Sequence, residues 1–229
     1  SITPERAWWN LTHYHLAIHV DIENKRLNGT NAMSYKVLTE GQELQIELQP
    51  PMILEQAIQH GKTLTIRQDG YSYFIKPNEK QVVDKEYKVV LHFSGQPTVA
   101  INAPWDGGIT WQQDNNGKPF ISSANQGIGA SIWWPNKDHM YDEVDSMAIN
   151  IRVPKNLMDV SNGRLRKVEK HNDNTTTYHW FVNNPINNYG VNINIGDYVH
   201  FSEKYQGEDG ELDMDYYVLR DNLNKAKEH

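Results

Sequence analysis

The segment His13-Tyr14-His15-Leu16-Ala17-Ile18-His19-Val20 alternates apolar and polar side chains with a period of two. Its even positions hold Tyr, Leu, Ile and Val, whereas its odd positions are mostly polar. Successive side chains of a β-strand point to opposite faces of a sheet, so this pattern predicts a strand with one buried and one solvated face. The same alternation recurs at 146–153 and 191–195. We therefore expect antiparallel sheets with one wet face.

Short turn signals separate the alternating segments along the chain. Asn-Gly and Asp-Gly pairs supply the positive φ angles that tight hairpins require. Their spacing predicts about a dozen short strands, which is typical of a sandwich or of several packed sheets. Such pairs occur at 28–29, 69–70, 106–107, 116–117, 162–163 and 209–210.

Helical periodicity is confined to the end of the chain. Residues 218–227 have the charge and amphipathic spacing of a helix, and no capping glycine follows them. We therefore predict an all-β fold with the start of a short C-terminal helix, and we expect the natural protein to continue further. No internal repeat, low-complexity tract or linker is visible. Residues 1–229 are predicted to form a single β domain.

Composition excludes several classes of protein. The formal net charge is -7, with 22 Lys+Arg against 29 Asp+Glu, and the basic residues are scattered. That distribution argues against a nucleic-acid or anionic-membrane surface. The chain has no cysteine, which excludes disulfides and thiolate chemistry. No apolar run approaches the roughly 20 residues that span a bilayer, so no membrane span is expected.

The compartment is left open by the sequence. Residues 1–6 lack the charged and apolar regions of a signal peptide, but a signal could have been removed from a trimmed chain. A periplasmic or exported protein and a cytoplasmic protein both fit.

Catalytic motifs are absent from the sequence. It contains no H-E-x-x-H, no G-x-S-x-G and no P-loop, so no catalytic residue is predicted. His13, His15 and His19 share one strand face and could bind zinc, but a solvated polar face is the favoured interpretation. The acidic alternation at 211–215 could bind calcium, but a charged edge strand is favoured. We predict no metal site.

The segment 125–138, Asn-Gln-Gly-Ile-Gly-Ala-Ser-Ile-Trp-Trp-Pro-Asn-Lys-Asp, is rich in glycine and aromatic residues. Loops held by a rigid sheet are where binding groups concentrate. Together with Trp105 and Trp111, the two tryptophans of this segment suggest stacking on sugar rings. Buried tryptophans that anchor sheet packing are the alternative. A carbohydrate-binding β-sandwich module is therefore one candidate function, and it requires a flat row of exposed tryptophans.

The order of several segments resembles the N-terminal domain of the aminopeptidase N / leukotriene hydrolase family of zinc metallopeptidases, closest to its bacterial branch. Each segment is a loose motif, but their order over the whole chain is specific. The segments are Trp8–Leu16, Gly29–Tyr35, Asn125–Ile128, Trp133–Pro135, Asp142–Ser146, Met147–Pro154 and Pro185–Tyr198.

This resemblance implies a saddle-like β domain with a large mixed sheet and smaller flanking sheets. In the family, such a domain covers a thermolysin-like catalytic domain that carries H-E-x-x-H and zinc. Because that motif is absent here, we expect a non-catalytic part of a larger aminopeptidase. Zinc is then a cofactor of the parent enzyme, with none expected in this chain. The expected partners are the chain's own catalytic domain and the N-terminus of a peptide substrate.

The resemblance also implies a substrate-binding loop at Gln126, Gly127 and Ile128. Gln126 matches a family glutamine beside the S1 pocket, and an amide can accept from an ammonium group and donate to a carbonyl. Gly127 would let the backbone approach the substrate closely. Many members place an acidic or amide residue where this chain has Ile128, which suggests a more apolar rim. A purely structural Gln126 is the alternative.

Two neighbouring pairs are given other roles. Asp142 and Glu143 match a carboxylate pair of the family and are expected to tie a loop by hydrogen bonds. Trp133 and Trp134 are expected to pack partly into the core and partly against the catalytic domain.

Overall fold

The computed structural model describes residues 2–228 and confirms the predicted all-β fold, with seventeen strands in four sheets and two short helices. The number of strands exceeds the predicted dozen mainly because residues 44–76 form five short strands. The helices are α1 (Pro4–Ala7) and α2 (Leu223–Lys227). The strands are β1 (Trp9–Asp21), β2 (Arg26–Val37), β3 (Leu44–Glu47), β4 (Ile53–Gln59), β5 (Lys62–Thr63), β6 (Thr65–Asp69), β7 (Ser72–Lys76), β8 (Glu86–Gly95), β9 (Gly108–Gln113), β10 (Pro119–Ala124), β11 (Ser146–Pro154), β12 (Met158–Ser161), β13 (Arg164–Lys170), β14 (Thr175–Val182), β15 (Ile193–Gly196), β16 (Tyr198–Gly207) and β17 (Gly210–Leu219).

The largest sheet is a mixed, eight-stranded sheet with the order β13-β14-β11-β1-β2-β8-β4-β5. Strand β1 lies at its centre, parallel to β11 and antiparallel to β2. Leu16 and Ile18 of β1 lie beside Ile149 and Ile151 of β11, and all four side chains are buried. The predicted half-buried strands are therefore confirmed, and the apolar face of this sheet forms much of the core.

Three smaller sheets flank the large one. They have the orders β12-β15-β10-β9, β3-β7-β6 and β16-β17. Apolar residues from the first two join one continuous buried cluster with the large sheet, and partly buried Tyr217 of the β16-β17 hairpin packs against that cluster. This architecture agrees with the mixed sheet and smaller flanking sheets that the sequence predicts.

The C-terminal helix is shorter than residues 218–227. Val218 and Leu219 end strand β17, where they pair with Val199 and Tyr198 of β16. A 3₁₀ turn at Arg220–Asn222 then leads into α2. Because of this cross-strand pairing, the first two residues of the predicted helix belong to a strand instead. Neither described helix has the length and apolar composition needed to cross a membrane.

The glycine- and tryptophan-rich segment 125–138 connects β10 to β11 and contains a 3₁₀ turn at Ala130–Ile132. The end of β3 and the residues that follow it run alongside segment 125–138. Glu47 and Asn136 exchange two backbone hydrogen bonds of 2.8 and 3.2 Å, and the backbone N–H of Gln49 donates to the carbonyl of Ser131 at 2.8 Å. These bonds fix the segment against the body of the domain.

Candidate substrate-binding loop

Gln126 and Gly127 form the exposed tip of a tight turn after β10. The backbone N–H of Gly129 closes the turn by donating to the carbonyl of Asn125 at 2.8 Å. Gly127 has a φ of +84° and Gly129 a φ of +89°, a region of backbone conformation that favours glycine. Within residues 2–228, no hydrogen bond engages the side chain of Gln126. Its amide is free to contact a ligand.

The base of the loop is fixed by Asn125, which is buried. Its side-chain nitrogen donates to the carbonyl of Val191 at 2.6 Å. Its side-chain oxygen accepts from the indole N–H of Trp133 at 3.1 Å. A buried amide with both ends satisfied holds its backbone in one place. Asn125 therefore anchors the first residue of the turn to the chain beyond β14.

Ile128 is half-buried and packs over Gly107. A Cβ atom added to Gly107 would lie 2.5 Å from Cγ2 of Ile128, so a side chain at position 107 would displace Ile128. The neighbouring loop exposes two large apolar side chains, with Ile101 97% and Trp105 84% exposed. Asp106 makes that loop rigid, because its carboxylate accepts from the backbone N–H groups of Ile101 and Asn102, each at 2.7 Å. The candidate loop thus lies beside an ordered apolar tip.

Asp138 supports the other end of the loop. Its carboxylate accepts from the backbone N–H of Ser131 at 3.3 Å, and a Cβ atom on Gly129 would lie 2.6 Å from the same carboxylate oxygen. The backbone N–H of Asp138 donates to the carboxylate of Glu47 at 3.0 Å, and Glu47 also forms an ion pair with Arg6. Burial raises the pKa of the Glu47 carboxyl, and the Arg6 guanidinium opposes that rise.

Gln49 reaches the loop from the chain that follows β3. Its side-chain nitrogen donates to the carbonyl of Ile128 at 2.9 Å and to the hydroxyl of Ser131 at 3.0 Å. Together with Asn125 and Asp138, Gln49 completes a set of polar side chains that hold the base of the loop while its tip remains exposed.

The loop segment itself can orient a ligand but not transfer protons. Residues 125–132 contain no titratable side chain, so their polar groups are amides, one hydroxyl and the backbone. Such groups donate and accept hydrogen bonds at any pH where the protein is folded. The arrangement suits recognition of a polar group on a ligand.

Lys137 and Asp142 lie beneath this region as a buried ion pair. The ammonium of Lys137 also donates to the carbonyl of Trp9 at 2.8 Å and lies 3.9 Å from the centre of the Trp9 ring. Asp142 also accepts from the backbone N–H of Leu11 at 3.2 Å. The predicted structural role of Asp142 is confirmed. Glu143 is exposed, and its side chain makes no hydrogen bond within residues 2–228, so the same prediction is wrong for Glu143.

The two tryptophans of the segment are wholly internal, since Trp133 and Trp134 are each 0% exposed. The prediction that they pack partly against a catalytic domain is therefore wrong. Trp134 makes an edge-on contact with Tyr14, with ring centres 5.0 Å apart, and another with Trp133 at 6.0 Å. Both rings fill the core under the loop, where apolar area is most effectively removed from water.

The tryptophans also bear on the carbohydrate-binding alternative. Of the seven tryptophans, all of which lie in the described part of the chain, five are buried, Trp111 is half-buried and Trp105 is exposed. This distribution contradicts the flat row of exposed rings that the alternative requires.

The polar strand faces match the favoured interpretations. His13 hydrogen-bonds with Ser146 at 2.8 Å and His15 with Asn150 at 2.6 Å, both on the outer face of the large sheet. Burial is the main cause of the lowered pKa of both imidazoles. The acidic residues of β17 pair with Lys204 and His200 of β16. Across residues 2–228, no three His, Asp or Glu side chains are grouped to hold a metal.

The supporting residues Gln49, Asn125, Asp138 and Lys137 are not identified by the sequence analysis. Each of them has at least one partner far away in the chain; Gln49 and Ile128, for example, are 79 positions apart. Only the alternation at 44–49, Leu-Gln-Ile-Glu-Leu-Gln, hints that three polar side chains share one face. No local spacing shows what that face touches.

Comparison with solved structures supports the same fold. A mutant of the M1 zinc metallopeptidase from Deinococcus radiodurans, bound to a Tyr-Ser-Ala substrate, matches with a TM-score of 0.77 and 15% identity over 93% of this chain and 48% of its own. A mutant two-domain M1 zinc metallopeptidase bound to L-tryptophan matches with a TM-score of 0.79 and 15% identity, covering 94% and 49%. At this identity the likeness shows the fold alone.

This chain spans about half the length of the solved structures that it matches. No curated protein sequence matches it. Residues 10–189, however, match the family described as the Peptidase M1 N-terminal domain. That match covers most of the chain, including β1 to β14 and the loop with Gln126. The order of segments and the sheet topology agree with it, and the chain belongs to the Peptidase M1 N-terminal domain family.

Proposed function

We propose that this chain is the non-catalytic N-terminal domain of a larger zinc-dependent aminopeptidase, which removes N-terminal residues from peptides. Family membership and the half-length match to M1 zinc metallopeptidases support this role. In the proposal, residues 1–229 form one domain that docks on a catalytic domain supplied by the rest of the parent chain. The loop of Gln126, Gly127 and Ile128 forms part of the S1 side of the active site.

The observation that carries this proposal is the free amide of Gln126 on a braced loop. Its oxygen can accept from the ammonium group of a peptide N-terminus, and its nitrogen can donate to a carbonyl. Gly127 has open space around it, since a Cβ atom added there meets nothing within 4 Å. A substrate backbone could therefore approach closely. Ile128 contributes an apolar rim and no charge.

Residues 2–228 provide no group of three His, Asp or Glu side chains that could hold a metal. Family membership and the similarity to zinc metallopeptidases support a zinc site in the catalytic part of the parent enzyme. The contribution of this chain is to bind and orient the substrate.

Docking on the catalytic domain is assigned to the apolar tip of Ile101 and Trp105. These are the two most exposed of the large apolar side chains in residues 2–228, and their loop packs against Ile128 through Gly107. Exposed apolar side chains held on a rigid loop are typical of a surface that a partner covers. Trp133 and Trp134, which are buried, have no part in this surface.

Two experiments test the proposal. Reading the gene beyond codon 229 should show H-E-x-x-H, and its absence from the remainder would contradict an active parent enzyme. In the parent enzyme, Gln126→Ala should raise the KM for an aminoacyl-arylamide, whereas Gln112→Ala, an exposed amide on β9, should not. The isolated 229-residue chain should be inactive, so chelator-sensitive hydrolysis by it would overturn the proposed non-catalytic role.

A further inference from the structure

Gln49 is connected to the Gln126 loop by its side chain and to the domain by its backbone. The backbone N–H donates to the carbonyl of Ser131 at 2.8 Å, and the backbone carbonyl accepts from Met52 at 3.1 Å. The preceding residue, Leu48, donates to Tyr71 at 3.0 Å. These bonds fix the main chain at Gln49 whatever side chain it carries. The side chain therefore adds a contact to the loop without being needed to place its own backbone.

The loop needs such a contact because its own backbone can adopt many conformations. Two of the five residues of the turn, 125–129, are glycines with positive φ. Glycine loses more conformational freedom on ordering than any other residue. Its closing bond joins Gly129 to Asn125, and these are the two ends of the turn. Among the bonds of residues 2–228, the one from Gln49 to the carbonyl of Ile128 reaches a residue inside the turn.

The geometry suits an amide at position 49 and excludes its closest relatives. Its nitrogen carries two hydrogens, which match two acceptors at 2.9 and 3.0 Å, the carbonyl of Ile128 and the hydroxyl of Ser131. A glutamate has the same shape but cannot donate when ionised, and its charge would repel the Ile128 carbonyl. An asparagine is shorter by one carbon–carbon bond of about 1.5 Å and would not reach.

We propose that Gln49 is a positioning residue, which holds the turn at Ile128 in the one conformation that presents the Gln126 amide to a peptide N-terminus. This inference rests on the proposed function of the loop. Gln49 itself does not contact the substrate. It acts by reducing the number of loop conformations that must be lost when the substrate binds, which is how pre-organisation raises affinity.

The first test measures the loop in the 229-residue chain. Amide exchange of Gly129, followed by NMR, reports opening of the turn because this N–H is bonded to Asn125. Gln49→Glu and Gln49→Asn should each speed that exchange about fivefold, the effect of losing one ordinary hydrogen bond. Gln56→Glu is the matched control, since Gln56 is a half-buried amide that donates an exposed hydrogen bond to the hydroxyl of Thr63 at 2.8 Å. It should leave Gly129 unchanged.

The second test measures binding in the parent enzyme. Both Gln49 variants should raise the KM for an aminoacyl-arylamide about fivefold while kcat changes less than twofold, because a looser loop weakens binding without altering the reacting groups. A purely structural defect would instead lower the amount of active enzyme and hence the apparent kcat. Gln56→Glu should change neither constant.

The outcomes separate this inference from the proposed function. Unchanged Gly129 exchange in both Gln49 variants would overturn the inference, even if Gln126→Ala weakens substrate binding. A different result would overturn the substrate-binding role of the loop: Gly129 exchange that is faster in the Gln49 variants, together with a KM that is unchanged both in those variants and in Gln126→Ala. The positioning role of Gln49 would fall with it. If Gln49→Glu does not fold, the neutral Gln49→Asn variant decides the question.

Discussion

Lys137 and Asp142 form an ion pair in which the side chain of the lysine is 0% and that of the aspartate 5% exposed. Burial lowers the pKa of Lys137, and the Asp142 carboxylate opposes that shift. Removing two charges from water is costly, so the pair does not by itself make the fold more stable than an apolar replacement would. It does make the fold depend on both partners, because either one left alone would be an uncompensated buried charge.

Replacing Asp142 with alanine should therefore lower the free energy of unfolding by about 3–5 kcal/mol, the usual cost of breaking a buried pair by removing one partner. Glu143→Ala provides the matched control, since Glu143 is the adjacent carboxylate and is exposed. Its effect should lie within about 0.5 kcal/mol. Urea unfolding followed by tryptophan fluorescence measures both. Equal effects of the two substitutions would contradict the assignment of a structural role to Asp142 alone.

Gly129 and Gly127 occupy the same loop but should respond differently to a side chain. Gly129 has φ 89° and ψ 154°, a region open almost only to glycine, and its Cβ would meet Asp138. Gly129→Ala should destabilise the domain by about 1–3 kcal/mol from backbone strain. Gly127→Ala meets no neighbouring atom and should cost about 1 kcal/mol through its positive φ. Thermal unfolding of the two variants provides the comparison, and a reversed order would contradict the described turn.

The strands could be predicted from the sequence because burial of one sheet face produces a local alternation of apolar and polar residues. The alternation at 13–20 places Leu16 and Ile18 on the buried face, and both lie in the core. A strand has a period of two, so a short segment is enough to show its orientation. The helix prediction at 218–227 was wrong in its first two residues because pairing with a distant strand overrides local propensity there.

The candidate site could be predicted only in part. Gln126 is proposed from the order of family segments, since nothing in its immediate neighbours requires a binding role, and its contact with a substrate stays a prediction. Gln49 could not be identified, because its contact with Ile128 depends on how the chain after β3 lies against a loop 79 residues away. The sequence predicts that Trp133 and Trp134 pack partly into the core, but not that they are wholly buried, because aromatic side chains suit both cores and interfaces.

The burial of the tryptophans predicts which of them a quencher can reach. Trp105 is 84% exposed, whereas Trp134 is fully buried. Trp105→Phe should remove the largest part of the fluorescence that acrylamide quenches in the 229-residue chain, because collisional quenching requires solvent contact. Trp134→Phe should lower total emission and leave the quenched part nearly unchanged. Similar quenching losses in the two variants would contradict the internal position of Trp134.

Asp159 makes the stability of the domain depend on pH. Its carboxyl is 0% exposed on strand β12, and one oxygen accepts from the indole N–H of Trp180 at 3.0 Å. The other oxygen has no hydrogen-bond partner within residues 2–228. Burial raises the pKa of Asp159 well above its ordinary value, with the Trp180 bond opposing the shift. Burial and the Asp159 carboxyl raise the pKa of Tyr178 and that of Tyr198, the latter to about 12.

The direction of the effect follows from which state binds the proton more tightly. The unfolded chain releases the Asp159 proton near pH 4, whereas the folded chain retains it to higher pH. The contribution of Asp159 to stability is therefore fully present below about pH 4 and is lost as pH rises toward the folded pKa, by at most about 1.4 kcal/mol per pH unit. Asp159→Asn cannot ionise and should remove this loss. Urea unfolding of both proteins at pH 5, 6 and 7 should show the free energy of unfolding falling more steeply with pH in the wild type than in the variant. Parallel profiles would mean that Asp159 is already ionised in the folded domain.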